Sequence, residues 1–240
     1  EVSVAKNKSL YKFRAFNKGS IELLLNRELW FAKPESLNDP FECQFDKEQL
    51  FSDLDGIERI YKDKIAEYAD KIINEFNSMG ICSFSRTKKN QLMWSHYADD
   101  HRGFCIEFKE SSLLSNNKVI KSIDVNYQVN LPKLNVINNV RIDGYKINAT
   151  FDSDIFTKII GTKYTSWKYE KETRLVLIKS SPLKFLPTDV SSICFGLRMP
   201  QKDQNTLVTL LSGSDWKHLE WYQAVKSPGR LTLDFERKKI

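Results

Sequence analysis

The segment Trp167-Lys168-Tyr169-Glu170-Lys171-Glu172-Thr173-Arg174 sets two carboxylates two residues apart and an arginine two residues further on. At the start of a strand, alternate side chains share a face, so Glu170, Glu172 and Arg174 are expected in one row. Neighbouring carboxylates repel, which raises the pKa of one of them, while the guanidinium favours ionisation. A pair split in this way suits acid/base work or the stabilisation of a developing cation. The same spacing also describes a solvent-facing strand with local ion pairs.

Three other clusters place polar groups beside aromatic ones. In Tyr11-Lys12-Phe13-Arg14 strand alternation puts Lys12 and Arg14 on one face, where a guanidinium can grip a phosphate through two parallel hydrogen bonds or simply point into water. Asn38-Asp39-Pro40-Phe41-Glu42 has the chemistry of a rigid turn whose carboxylates could bind a metal, position a ribose, or only close the turn. The third runs through Cys82-Ser83-Phe84-Ser85, Met93-Trp94-Ser95-His96-Tyr97 and His101-Arg102-Gly103-Phe104. Two hydroxyls at a strand end, a short helix bearing Trp94 and Tyr97, and a histidine close before a glycine could form a ligand wall. Trp94 and Tyr97, three apart, fit a packed core as well as a stacking platform. His96 and His101 lack the spacing of zinc ligands.

Several elements must position these groups. Leu10 to Phe16 alternates as a half-buried strand, and Asn17 or Ser20 can cap a short helix through Ile21 to Leu25. Leu29-Trp30-Phe31 reads as a second strand, ended by Pro34. Lys47 to Met79 has apolar residues at three- and four-residue steps, which predicts an amphipathic helix broken near Asp55-Gly56. Gly80 to Ser85 and Gly103 to Phe108 are expected strands flanking a helix, Gln91 to Ala98, capped by Asn90. From Ser111 to Asn148 the best strand is Val119 to Tyr127, with the remainder loop-like. A helix over Ala149 to Ile160 follows, then strands over Glu172 to Ile178, Leu183 to Leu186 and Ser192 to Phe195. A helix over Gln201 to Leu211 and strands over Trp216 to Val225 and Arg230 to Phe235 close the chain. Strands and helices mix without regular alternation. The expectation is therefore an α+β protein, one domain over residues 1–240, with a mixed or mainly antiparallel sheet and packed helices.

Composition narrows the function classes. With 41% hydrophobic and 12% aromatic residues, the chain can bury an ordinary core. No stretch approaches the roughly 20 apolar residues of a membrane span, and Glu1 to Leu10 lacks a signal-peptide apolar core, so a soluble, cytoplasmic protein without a membrane partner is expected. The four cysteines, Cys43, Cys82, Cys105 and Cys194, form no Cys-x-x-Cys pair, and the last three sit in apolar runs where a thiol acts as a small buried hydrophobe. A formal charge of +6 and a pI near 9.0 favour an anionic partner. The closing run Arg237-Lys238-Lys239 reads as a solvated tail or a phosphate-binding arm. Gly-rich phosphate loops of the G-x-G-x-x-G or G-x-x-x-x-G-K type are absent from the sequence.

In their order, LYKFR, LWFAKPESLNDPFE, CSFS, LMWSHYADDHRGFCIEF, TSWKYEKETRL and a weaker ICFG resemble a bacterial domain-of-unknown-function family, number 2971 in the usual series. The resemblance covers about Leu10 to Gly196, leaves Ser111 to Lys146 without a motif, and implies one site in one domain of an accessory, phage-defence or toxin-type protein. A looser likeness is to ADP-ribosyltransferases, which place an arginine or histidine on an early strand, a serine-containing strand in the middle and a glutamate or E-x-E on a late strand. Arg14, Ser83 with Ser85, and Glu170 with Glu172 stand in that order, although Ser-Phe-Ser replaces Ser-Thr-Ser. The likeness implies NAD as substrate, no metal, Glu172 stabilising the oxocarbenium ion and Glu170 orienting an acceptor that is a nucleic acid or a protein. The ligand-contacting set is then Arg14, Asn38, Asp39, Ser83, Ser85, Trp94, Tyr97, His101, Trp167 and Arg174. Two alternatives stand beside it. One is a magnesium-dependent nuclease or phosphoesterase using Asp39, Glu42, Glu170 and Glu172, with Lys171 or Arg174 against the phosphate. The other is a nucleotide- or RNA-binding module gripping its ligand through Lys12, Arg14 and His101.

Overall fold

Apolar and β-branched runs punctuated by Gly, Asn, Asp and Pro become short strands in a computed structural model that describes residues 8–46, 59–134, 140–143, 146–149 and 153–240. In chain order the strands are β1 Ser9–Arg14, β2 Glu28–Phe31, β3 Gly80–Ser85, β4 Phe104–Lys109, β5 Val119–Asp124, β6 Asn126–Gln128 and β7 Val140–Asp143. They continue with β8 Lys146–Ala149, β9 Thr162–Tyr164, β10 Glu172–Leu177, β11 Ser181–Lys184, β12 Val190–Phe195, β13 Glu220–Lys226 and β14 Leu233–Arg237. The α-helices among the described residues are α1 Lys18–Asn26, α2 Arg59–Ser78, α3 Gln91–Tyr97, α4 Glu110–Leu114, α5 Ser153–Ile160 and α6 Gln201–Leu210.

Eight strands form one sheet in the order β14-β13-β12-β4-β1-β3-β10-β5. β12 and β13 run parallel and the other neighbours run antiparallel. The fold is therefore α+β with a mixed, mostly antiparallel sheet. Smaller two-stranded pairs join β11 to β2, β6 to β9 and β7 to β8. Among the described residues no helix is long and apolar enough to cross a membrane.

The strand period of two sends alternate side chains to opposite faces, and both faces are packed. On one face Leu10, Phe84, Phe108, Leu175 and Ile193 meet Leu23 and Leu24 of α1 and Leu207 of α6. On the other, Ile81 and Val176 pack on Phe76 of α2 and Ile155 and Ile159 of α5. On that side Phe13, Cys105 and Cys194 lie under Met93 and Trp94 of α3. All four cysteines are buried free thiols. The caps form as their chemistry dictates: Asn17 Oδ1 accepts from the Ser20 amide at 3.0 Å and Asn90 Oδ1 from the Leu92 amide at 2.8 Å.

Other expectations are revised. β3 and β4 do not flank α3 as neighbours, because β1 enters between them and α3 packs over β1. The strand over Val119 to Tyr127 divides at Val125 into β5, which pairs with β10, and β6, which pairs with β9. The stretch beyond it, expected to be loop-like, contains the antiparallel pair β7 and β8. The strand expected from Trp216 starts at Glu220, because Ser214–Trp216 is a 3₁₀ turn. β11 runs from Ser181, ahead of the expected Leu183, paired along its length with β2. The proposed helix break near Asp55-Gly56 lies outside the described residues.

Candidate functional site

Backbone pairing between β1 and β3 is confined to one position, Tyr11 opposite Ser85. β1 instead stays paired with β4 along its length, from Ser9 opposite Lys109 to Arg14 opposite Phe104. At the other end of the gap Ala32, just after β2, exchanges backbone hydrogen bonds with Ile81 of β3 at 2.8 and 2.9 Å. Between these anchors the sheet is split and a cavity of about 600 Å³ opens, lined by Lys12, Phe13 and Arg14 from β1 and Cys82, Ser83 and Phe84 from β3. A cavity of this size falls within the range of about 300–1,000 Å³ common for small-molecule sites.

The two walls differ in charge. Lys12 and Arg14 share the face of Leu10 and α1. Arg14 Nε donates to Ser20 Oγ at 3.1 Å, and Lys12 Nζ donates to the Ser83 carbonyl at 2.9 Å and lies 5.2 Å from the Phe84 ring centroid. Among the described residues neither cation has a carboxylate partner. Burial lowers the Arg14 pKa. Ser83, Ser85 and Glu172 stand on the opposite face, set by the register of Glu172 with Ser85 and Arg174 with Ser83. The cavity is thus a slot through the sheet, cationic at the α1 side.

The far wall is a buried ion-pair network. Lys163 Nζ from β9 lies 2.8 Å from Glu42, 2.5 Å from Glu170 and 2.9 Å from Glu172. Arg174 holds Glu172 at 2.8 Å through Nε, pairs with Glu42 through Nη2 and donates to the Ile160 carbonyl at 2.6 Å. Tyr97 donates to Glu170 at 2.6 Å, and Tyr127 Oη accepts from the Glu172 amide at 2.8 Å. With every member ionised, three carboxylates against two cations leave one net negative charge. Burial pushes the Glu170 pKa up, and Lys163 and Tyr97 only partly oppose it. Burial acts the same way on Glu172, but Arg174 and then Lys163 outweigh it and hold that carboxyl down at about 2. The slot therefore presents one carboxylate held well down by its cations and one whose pKa burial raises. Burial would lower the Lys163 pKa, but Glu172, Glu42 and Glu170 raise it well above the ordinary lysine value.

The sequence-derived residues divide accordingly. Arg14, Asn38, Ser83, Ser85, Tyr97, Glu170 and Glu172 line the slot. Trp94 does not. It is fully buried, donates from Nε1 to the Lys88 carbonyl at 2.8 Å and packs edge-on against Phe13. His101 lies outside as well, on a turn where Asp99, Asp100 and His101 all have positive φ, with its ring stacked on Trp94 and Nε2 3.3 Å from Ser95 Oγ. Asp39 closes the turn, accepting from the Phe41 amide at 2.9 Å. Trp167 lies over Lys163, 4.9 Å from Nζ to the ring centroid, and Arg174 stands behind Glu172. The expected row of Glu170, Glu172 and Arg174 is neither continuous nor solvent-facing. Glu170 ends a 3₁₀ turn, Lys171 is left-handed at φ 46°, and all three charged groups of the row are buried.

Sequence reasoning missed Lys163, the hub of the network, and read Glu42 as a metal ligand, a ribose contact or part of a turn rather than as a member of an ion-pair network. Among the described residues no group of three or more His, Cys, Asp and Glu side chains is arranged to hold a metal ion. The Lys163 ammonium and Arg174 guanidinium occupy the position at which Glu42, Glu170 and Glu172 converge.

Fold and site together define an α+β protein whose split sheet holds a slot with unlike charge on its two walls. Residues 93–175 match the model of the family described as Protein of unknown function (DUF2971), the family that the ordered motifs resemble. The match takes in Tyr97, Lys163, Glu170, Glu172 and Arg174, and leaves Arg14, Glu42, Ser83 and Ser85 outside. No curated protein and no solved structure matches the chain. The likeness to ADP-ribosyltransferases therefore rests on this chain's own residues.

Proposed function

We propose that the slot binds NAD and that the protein is an ADP-ribosyltransferase-like enzyme of accessory or defence type. The observation carrying this reading is that three neighbouring strands, β1, β3 and β10, deliver Arg14, Ser83 with Ser85, and Glu172 to one cavity. A slot with cations lacking a carboxylate partner at one side and a carboxylate-rich network at the other suits an elongated ligand with unlike ends. NAD has a diphosphate for Arg14 and Lys12 and a cationic nicotinamide riboside for Glu170 and Glu172. Cleavage of the nicotinamide–ribose bond builds positive charge on the ribose, and an ionised Glu172 lowers that barrier electrostatically. Glu170, held by Tyr97 and with its pKa raised by burial, is suited to exchange a proton with the acceptor. The acceptor, nucleic acid or protein, is the attacking group.

A second reading has its own support. Every carboxylate of the network already has an ion-pair partner in Lys163 or Arg174, which suits a module that binds a nucleotide without turning it over. Incubation with labelled NAD, with and without magnesium, separates the readings. Nicotinamide release without metal is the expected result, and retention of intact NAD identifies the binding module. Absence of both binding and turnover refutes the NAD reading. Glu172→Gln is expected to slow release by roughly 100- to 1,000-fold. Because Glu172 also anchors Arg174, Arg14→Ala serves as the companion variant, weakening NAD binding with the fold intact.

A further inference from the structure

The aromatic residues that the sequence offered for stacking lie in the core or the network, yet another aromatic side chain stands at the slot. Strand alternation in β2 buries Leu29 and Phe31 completely and turns Trp30 outward, 62% exposed. Trp30 lines the same cavity as Arg14 and Gly19. Its backbone is fixed by β11, where Pro182 is its register partner. Pro182 is also exposed and also lines the cavity. Directly opposed residues of antiparallel strands hold their side chains about 4.5–5.5 Å apart at Cβ on one face, so the indole and the pyrrolidine ring stand side by side as an apolar floor. Among the described residues Trp30 has no aromatic or cationic partner on its ring. Such an exposed indole, lining the same cavity as the Arg14 guanidinium, has the composition of a nucleotide subsite, a π-face for the base and a fork for the phosphate.

We propose that Trp30, flanked by Pro182, is the stacking platform for a nucleobase of the bound nucleotide, whose phosphates lie against Arg14. This rests on the nucleotide reading above and adds to it the residue that selects an aromatic ring. The platform serves adenine or nicotinamide by the same chemistry, and the choice of probe separates them.

The test is titration calorimetry of the full chain, wild type, Trp30→Ala and Trp30→Phe, with NAD, ADP and nicotinamide mononucleotide. Trp30→Ala is expected to weaken NAD by about 10- to 100-fold, the usual range for loss of one base-stacking partner. Trp30→Phe should stay within about fivefold of wild type, because it keeps a π-face. A matching loss for ADP alone assigns adenine to the platform, and a loss for nicotinamide mononucleotide alone assigns the nicotinamide. The proposal is overturned if Trp30→Ala binds NAD as wild type does, or if Trp30→Phe loses as much as Trp30→Ala. Should wild type bind none of the three probes, the nucleotide reading falls and the platform with it. Those outcomes differ, so failure of the platform is distinguishable from failure of the site.

Discussion

Glu170 and Glu172 share one ammonium, Lys163, and their pKa values move in opposite directions. The consequence for stability can be signed. Glu172 is held at about 2 in the folded protein against an ordinary 4.5, so its contribution is complete above pH 4.5 and drains away as the pH falls toward 2. Glu170 is raised, so between pH 4.5 and its folded value the native state holds a proton that the unfolded chain has lost, and stability falls as the pH rises through that window. Urea unfolding from pH 3 to pH 8 is expected to show the upper decline in wild type and not in Glu170→Gln, while the acid loss persists in both. A decline unchanged in Glu170→Gln would show that another group causes it. Lys163→Met is the sharper case. It leaves Glu42 and Glu172 to Arg174 and Glu170 with the Tyr97 hydroxyl alone, and is expected to cost about 3–5 kcal/mol, the range for breaking a buried ion pair on one side. Adding Glu170→Gln to Lys163→Met removes one of the stranded charges, so the double variant should recover part of the loss, a coupling that chemical denaturation of the four proteins measures.

At the scale of elements, the slot depends on β1 staying with β4 beyond Tyr11, and the turn before β4 fastens it there. A Cβ on Gly103 would sit 2.1 Å from the Arg14 carbonyl and 3.0 Å from the Ala98 carbonyl, both backbone atoms that cannot swing away. Gly103→Ala is expected to destabilise by about 1–3 kcal/mol or more and to weaken NAD binding by displacing Arg14. Unchanged melting and affinity would show that the turn does not position β1. Gly196, whose Cβ would meet the His101 and Gly103 carbonyls at 2.2 and 2.7 Å, belongs to the same close crossing. Elements of this kind divide into legible and illegible ones for physical reasons. Asn17 and Asn90 announced their helices because an N-cap is local chemistry. The alternation of β1, β3 and β10 announced strands, but face assignment across strands needs register. The sequence alone therefore could not tell that Lys12 and Arg14 stand on the face opposite Ser83 and Ser85. Lys163 was invisible because β9 has three residues, Thr162 to Tyr164, and a lysine in so short a polar strand looks solvated until three separated glutamates fold around it. Trp94 and Tyr97, three apart on α3, are alike in sequence and differ in depth. One fills the core against Phe13, and the other reaches Glu170 at the slot.

Taken as a whole, the molecule carries a slot that parts its eight-stranded sheet into five strands, β14 to β1, and three, β3 to β5, joined by backbone at Tyr11 and Ser85. Side chains bridge the gap sparingly, chiefly Lys12 onto the Ser83 carbonyl. A ligand contacting β1 on one side and β3 and β10 on the other would fasten these two parts and so favour the folded state beyond its local contacts. By mass action, NAD at a hundred times its dissociation constant should stabilise the protein by about 2.7 kcal/mol, which for a chain of this size raises the melting temperature by roughly 5–10 °C. The basic balance of +6 and the unpaired Lys12 and Arg14 make part of that gain electrostatic. The shift should therefore shrink at about 0.5 M salt, where the Debye length drops to a few ångströms, and nearly vanish in the Lys12→Ala, Arg14→Ala double variant. Differential scanning calorimetry with NAD, ADP and nicotinamide mononucleotide at two ionic strengths reads all of this at once. A wild-type melting temperature indifferent to all three would mean that the slot is not a nucleotide site, and a salt-independent shift would mean that the cationic wall does not hold the phosphates.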